Sequence, residues 1–190
     1  MKKLLGPSPM LFPMPAVLIG TYNGDGTPNA MTAAWVAACS HKPPCLGVAV
    51  RSSRLTFLNL GGRGAFTVNV PGAELAADVD YLGLVSGKKV PDKLRRAGLA
   101  TRRATLVDAP VIERCKVVAE CRLHSKLVLG SHTWFVGEVL EVQVDEELVR
   151  ADGTVDVGRL DPLAYVTSEA HYRRLGADLG AAYEIGKRPE

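Results

Sequence analysis

The sequence predicts a mainly β protein, an antiparallel barrel carrying helical insertions. Short apolar runs recur between clusters of turn-forming residues, as strands do. Two longer segments, CKVVAECRLHSKLVL and HTWFVGEVLEVQV, alternate apolar and polar side chains with the period of a half-buried strand. The regular exchange of strand and helix that a parallel doubly wound sheet demands is missing. An antiparallel barrel accommodates all three observations.

From the N-terminus, AVLIGTYNGDGTPNAMTAAWV reads as strand, turn and strand. Its Asn23-Gly24-Asp25-Gly26 tolerates the positive φ angles of a hairpin turn. CLGVAV is a short apolar strand running straight into Arg51, and GAFTVNV gives another from about Ala65 to Val70. Residues 72–99 are helical in character, interrupted at Gly87 and Pro91. The two alternating segments pair as antiparallel neighbours through a turn at Gly130-Ser131. The Gly-rich tail, residues 169–190, is expected to be irregular or to form short helices. No repeat, low-complexity tract or Pro/Ser-rich linker divides the chain, which predicts one domain over residues 1–190.

Composition narrows the function classes. The 190 residues suffice to bury a real core, and 47% hydrophobic with 23% charged residues is ordinary for a soluble protein. Basic and acidic residues, 23 against 20, nearly balance and form no dense Lys/Arg run, so no nucleic acid is expected. Lys2 and Lys3 imitate the start of a signal peptide, but Pro7, Pro9, Pro13 and Pro15 break up the segment behind them. No stretch approaches the roughly 20 apolar residues needed to span a bilayer. A cytoplasmic protein without membrane contact is therefore expected. Cys39, Cys45, Cys115 and Cys121 form no CxxC pair, so no metal is expected and buried free thiols are the simpler reading. Cys115 and Cys121 share a face if they lie on one strand.

One stretch carries more chemistry than its neighbours. RSSRLTFLNL, residues 51–60, gathers two arginines and three hydroxyls before turning apolar. Ser53 can be a plain helix N-cap, with Thr56 turned back toward it and Arg51 and Arg54 solvated. Alternatively, the helix start, the arginine forks and the hydroxyls form a cage for a monophosphate. No GxGxxG or GxxxxGK[ST] is present; GGRGAF has the wrong spacing and precedes a strand. A bound nucleotide must be held in another way.

Further candidates surround this stretch. Asn29 offers a donor and an acceptor, or is simply a turn residue after Pro28. Met31, Ala33 and Ala34 leave a low wall for a flat ring, ending at Trp35, which serves as core or as platform. His132 opens its strand, either as a strand-end residue or as a ligand contact. Lys88, Lys89, Arg95 and Arg96 form a solvated face, or attract an acidic redox partner or a phosphate-bearing nicotinamide.

Residues 28–71, PNAMTAAWVAACSHKPPCLGVAVRSSRLTFLNLGGRGAFTVNVP, resemble the core of the flavin reductase-like, FMN-binding split-barrel family, and within it the flavoredoxins. The likeness continues through SGKKVPDKLRRAGL, the strand pair of residues 113–144, and YRRLG and AYEIGK in the tail. It implies an antiparallel Greek-key split β-barrel with helical insertions. It also implies a homodimer, with one non-covalent FMN per subunit near the dimer interface. The resemblance puts the FMN phosphate on Arg51, Ser52, Ser53 and Thr56. It puts the isoalloxazine beside NAMTAAW: Asn29 at the polar edge, Met31 nearby, backbone contacts from Thr32, Ala33 and Ala34, and Trp35 close to the ring. Lys93 reaches the flavin from the helical insertion, and His132, in its HT motif, touches FMN or substrate.

The function so implied is that of an FMN-binding oxidoreductase whose chemistry lies on the flavin, with no side chain required as acid or base. Electrons come from NAD(P)H, as in a flavin reductase acting on a free flavin, a ferric complex or a quinone. In the flavoredoxin reading they pass between protein partners instead. A flavin- or haem-binding module without turnover is a third reading, in which scarce histidine weighs against haem.

Overall fold

The computed structural model describes residues 1–188. In chain order the elements are β1 (Met14–Pro15), β2 (Val17–Tyr22), β3 (Pro28–Ala33), β4 (Val36–His41), β5 (Pro44–Val50), α1 (Leu55–Arg63) and β6 (Ala65–Val70). There follow α2 (Ala76–Leu84), α3 (Lys93–Arg96), β7 (Thr101–Arg103), β8 (Pro110–Ile112), β9 (Val117–Leu129), β10 (His132–Val144), α4 (Val157–Leu160), β11 (Ala164–Val166) and β12 (His171–Arg173). The expected hairpins are β2–β3 and β9–β10, the latter turning at Gly130 and Ser131.

Seven strands form one sheet in the order β3-β2-β6-β9-β10-β5-β4, and every pairing in it is antiparallel. Strands β5 and β6, joined through α1, flank the β9–β10 hairpin, which is the Greek-key crossing. The two edge strands, β3 and β4, are consecutive in the chain, joined only by Ala34 and Trp35. They therefore meet at a corner without pairing with each other. The Trp35 carbonyl instead accepts from the Ala49 N–H of β5 at 3.0 Å. The barrel is split at this corner.

Alternation along β2 shows where the core lies. Val17 and Ile19 point into the curl of the sheet with Val48, Leu60, Phe66, Cys121 and Phe135. Leu18, between them, points outward into a second apolar cluster with Val79, Leu82, Leu94, Ile112 and Val118. The helical insertion carrying α2 and α3 thus covers the outer face of the barrel. Strand β2 is buried on both sides, which explains its uninterrupted apolar run.

Three local expectations are corrected. Cys115 precedes β9 and joins the outer cluster, whereas Cys121 lies on β9 and joins the inner one, so they do not share a face. Cys39 is exposed; the other three cysteines are buried free thiols. Part of the supposedly irregular tail forms β12, which pairs with β11, and β11 pairs in turn with β1. The rest of the tail lacks helix through residue 188, and residues 189 and 190 lie outside the described residues. Among the described residues no helix is long and apolar enough to cross a membrane, and no cluster of ligating side chains suits a metal ion.

Candidate functional site

A groove of about 290 Å³ opens at the split corner. Met31, Thr32, Ala33, Ala34 and Trp35 form one wall, and Arg51, Arg54, Ala49, His132, Tyr165 and Thr167 complete the lining. The wall is low because alanines end β3, and Trp35 stands at its end, 37% exposed. Seven of the sequence candidates thus meet here: Met31, Thr32, Ala33, Ala34, Trp35, Arg51 and His132. The groove contains two arginines and no carboxylate. Its volume is close to the lower end of small-ligand pockets, about 300 Å³.

Trp35 and His132 stack with ring centroids 4.6 Å apart and an interplanar angle of 34°. Arg51 Nε donates to His132 Nε2 at 3.3 Å, which makes that nitrogen the acceptor and leaves the proton on Nδ1. Nδ1 then faces Ser131 Oγ at 2.9 Å. Burial, and secondarily the Arg51 charge, hold His132 below the usual imidazole range. A neutral His132 therefore braces one face of Trp35 and positions Arg51.

The Arg51–Arg54 turn precedes α1, and the Arg54 N–H donates to the Arg51 carbonyl at 3.0 Å. Arg54, not Ser53, occupies the N-cap position, and no side chain caps the helix. The reading of Ser53 as a structural cap is thereby corrected. Ser52 and Ser53 are exposed on the turn, their hydroxyls without a hydrogen-bond partner among the described residues, and they line neither the groove nor the cleft below. At its other end, α1 stops at Gly64, whose φ of 65° suits the left-handed C-terminal cap.

This geometry gives a test that separates a ligand role from a structural one. Ser53→Ala is expected to leave thermal stability within about 0.5 kcal/mol of the native chain, against about 1 kcal/mol for loss of a true cap. Anion affinity falls severalfold in the same variant. A lowered Tm with unchanged affinity would restore the capping role.

Asn29, Thr56 and Lys93 gather in a separate cleft, of about 10 Å³, with Met31, Arg54, Leu55 and Gly87. It has room for a single water at most. Thr56 does not turn back toward Ser53; it is buried, and its Oγ1 accepts from Asn29 Nδ2 at 3.1 Å. Lys93 is 2% exposed and donates from Nζ to the Leu82 carbonyl at 3.4 Å and the Val85 carbonyl at 3.3 Å. Burial, with a smaller contribution from the Arg54 charge, lowers Lys93 to about 8. In this conformation Lys93 lines the cleft and not the groove. The two spaces share Met31 and Arg54 as a common wall.

Arg54 is the principal residue that sequence reasoning left among the surface charges; its signal was present, since it belongs to the same RSSR turn. Tyr165 and Thr167 were also missed. Tyr165 lies on β11 and Thr167 just after it, and the pairing of β11 with β1 and β12 brings this distant segment to the groove. No local pattern announces that approach.

Residues 10–175 match the model of the flavin reductase like domain. The chain belongs to the flavin reductase-like family. Its fold follows that of the flavoredoxin of Desulfovibrio vulgaris (Miyazaki F), with 35% identity and a TM-score of 0.93 over 98% of this chain and 100% of that one. The flavoredoxin of Methanosarcina acetivorans is 32% identical with a TM-score of 0.89, covering 98% of each chain. A protein of Archaeoglobus fulgidus is 39% identical over 132 residues, 70% of this chain and 73% of its own length. The expected split-barrel class is therefore shown, and this flavin reductase-like chain carries its groove at the split.

Proposed function

We propose that the chain is an FMN-binding oxidoreductase that moves electrons from NAD(P)H or a redox partner to a flavin, ferric or protein acceptor. The groove carries this reading: two arginines without a carboxylate, beside a low apolar wall ending in a braced tryptophan. Such a lining suits a flat heteroaromatic ring with an anionic tail. FMN, when bound, accepts a hydride or single electrons and passes them on.

The chain's own residues divide the remaining work. Arg51, with Ser52, Ser53 and the open start of α1, holds the phosphate. Residues 31–35 present backbone and small side chains to the ring, and His132 keeps Trp35 and Arg51 in place. Asn29 and Thr56 fix β3 against α1 behind that wall, and Lys93 supplies positive charge to the same region. No acid or base is needed.

Electron delivery by a protein, as in a flavoredoxin, is the second reading, supported by the two flavoredoxin structures above. We further infer a homodimer. A second, largely apolar groove of about 460 Å³ joins Met10, Leu11, Met14, Trp35 and Trp134, and β4 leaves its edge exposed beside it.

The test begins with the visible spectrum of the purified chain, titrated with FMN and then with NADH or NADPH without oxygen. Uptake of FMN with quenching of tryptophan fluorescence is expected. Bleaching by a nicotinamide identifies a reductase, whereas flavin that stays oxidised until a reduced carrier protein is added identifies the second reading. No uptake of FMN sinks both. Sedimentation of the loaded chain tests the homodimer, and a monomeric mass overturns it.

A further inference from the structure

The basic residues of the helical insertion fall into two groups. Arg95 and Arg96 are both engaged by Asp92, Arg96 at 2.9 Å, on the short α3. Their charges are locally neutralised in part, although both side chains stay largely exposed. Lys88 and Lys89 are exposed and, among the described residues, have no carboxylate within ion-pair distance; Arg51 and Arg54 also lack one.

The fold sets the segment that leads into the two lysines against the cleft that Arg54 lines. Val85, Ser86 and Gly87 line the small cleft together with Arg54 and Lys93. Gly87 packs so closely that a Cβ there would lie 2.5 Å from Asn29 Oδ1 and 2.9 Å from Leu55 Cδ2. The next two residues are Lys88 and Lys89, held in a turn by the Lys88 N–H donating to Ser86 Oγ at 3.3 Å and the Lys89 N–H to the Ser86 carbonyl at 2.9 Å. Of the insertion's carboxylates, Asp78 faces Arg114, Asp80 accepts from the Tyr172 hydroxyl and Asp92 holds α3, so none of these three pairs with Lys88 or Lys89.

We propose that Lys88 and Lys89, with Arg54 behind them, form a docking surface for a small acidic protein that carries single electrons. This rests on the reading of the groove as an FMN site and names the partner for it. One phosphate dianion satisfies the arginines near the groove but leaves Lys88 and Lys89 unmatched. Exposed lysines beside a redox site steer an anionic partner and set its orientation, and they act through ionic strength more than through shape. With FMN bound, each encounter would supply one electron from the partner's reduced centre, and two encounters, with protons drawn from solvent, would balance a two-electron reduction.

The probe is a plant-type [2Fe–2S] ferredoxin immobilised on a sensor surface, with the FMN-loaded chain as analyte and cytochrome c as a cationic control. Binding to ferredoxin is expected to weaken at least about tenfold between about 20 mM and about 300 mM salt, as the Debye length shrinks. Binding to cytochrome c is not expected at either salt. The double variant Lys88→Glu/Lys89→Glu is expected to lose ferredoxin binding and its salt dependence, and to slow electron transfer from reduced ferredoxin about tenfold or more, while FMN affinity stays within about twofold. Native and variant chains that bind ferredoxin equally, or not at all, overturn the surface. A variant that loses affinity for NADPH relative to NADH, with ferredoxin unaffected, reassigns the lysines to a nucleotide phosphate. Failure to take up FMN brings down the underlying reading instead, and ferredoxin binding measured on the same protein still decides the surface.

Discussion

Replacing Lys93 with methionine is expected to abolish a steep pH dependence of FMN affinity above about pH 8 that the proposed site predicts for the native chain. In the free protein Lys93 is nearly fully buried, and burial plus the Arg54 charge lower it to about 8 from its ordinary 10.5. An anion bound across the shared Arg54 wall favours the charged lysine and raises that value again. Binding then takes up a proton wherever free Lys93 is neutral and bound Lys93 is charged. Between about pH 8 and the bound-state value, native affinity falls by up to about tenfold per pH unit. Below about pH 8 it is flat with respect to this group.

The stability of the free protein runs the other way. A depressed lysine favours the neutral form in the fold, so its contribution is absent below about 8, grows as pH rises, and is complete above 10.5. FMN titrations at several pH values, paired with urea melts, measure both slopes. The methionine variant carries FMN's own ionisations and provides the baseline. Parallel affinity slopes in the two proteins would remove Lys93 from the site.

Gly87→Ala is expected to cost more at the site than in the fold. The added methyl meets Asn29 Oδ1 at 2.5 Å and the Leu55 side chain at 2.9 Å, both closer than ordinary contact. Asn29 is 3% exposed and tied by its amide to Thr56, so it cannot swing into solvent. Either the 86–89 turn lifts, or β3 shifts against α1. Overpacking of this kind costs about 1–3 kcal/mol in stability. The same displacement moves Met31 and Arg54, the shared wall, and a small misplacement of a ligand wall loses about tenfold or more in affinity. The check is FMN affinity set beside Tm. Native affinity in the variant would show that this packing does not shape the groove.

Much of the barrel was legible because its signals are local. Strand β6 coincides with the apolar run from Ala65 to Val70, and the β9–β10 hairpin follows from two alternating segments and a glycine with φ of 53° between them. The groove was half legible: residues 31–35, Arg51 and His132 converge as their types and the family resemblance together suggested. What remained hidden depends on contacts between distant segments. Glu120 sits on an alternating strand where a carboxylate should face water, yet it is fully buried and accepts from the Thr105 and Leu106 N–H groups at 2.8 and 2.6 Å. Burial alone would raise that carboxyl, but these donors hold it below its ordinary value. Tyr165 is carried to the groove by β11, which pairs with β1, and no local spacing encodes that partner.

The unpaired corner between β3 and β4 has a mechanical consequence. The β2–β3 and β4–β5 hairpins are hinged covalently through Ala34 and Trp35, and the seam beside that hinge lacks a ladder of backbone hydrogen bonds. A rigid ring seated in the groove would touch β3 on one side and Ala49 of β5 on the other, serving as a rung between them. Occupancy should therefore stiffen two strands from opposite halves of the sheet together, so that amide hydrogen exchange slows in β3 and β5 in step, although neither pairs with the other.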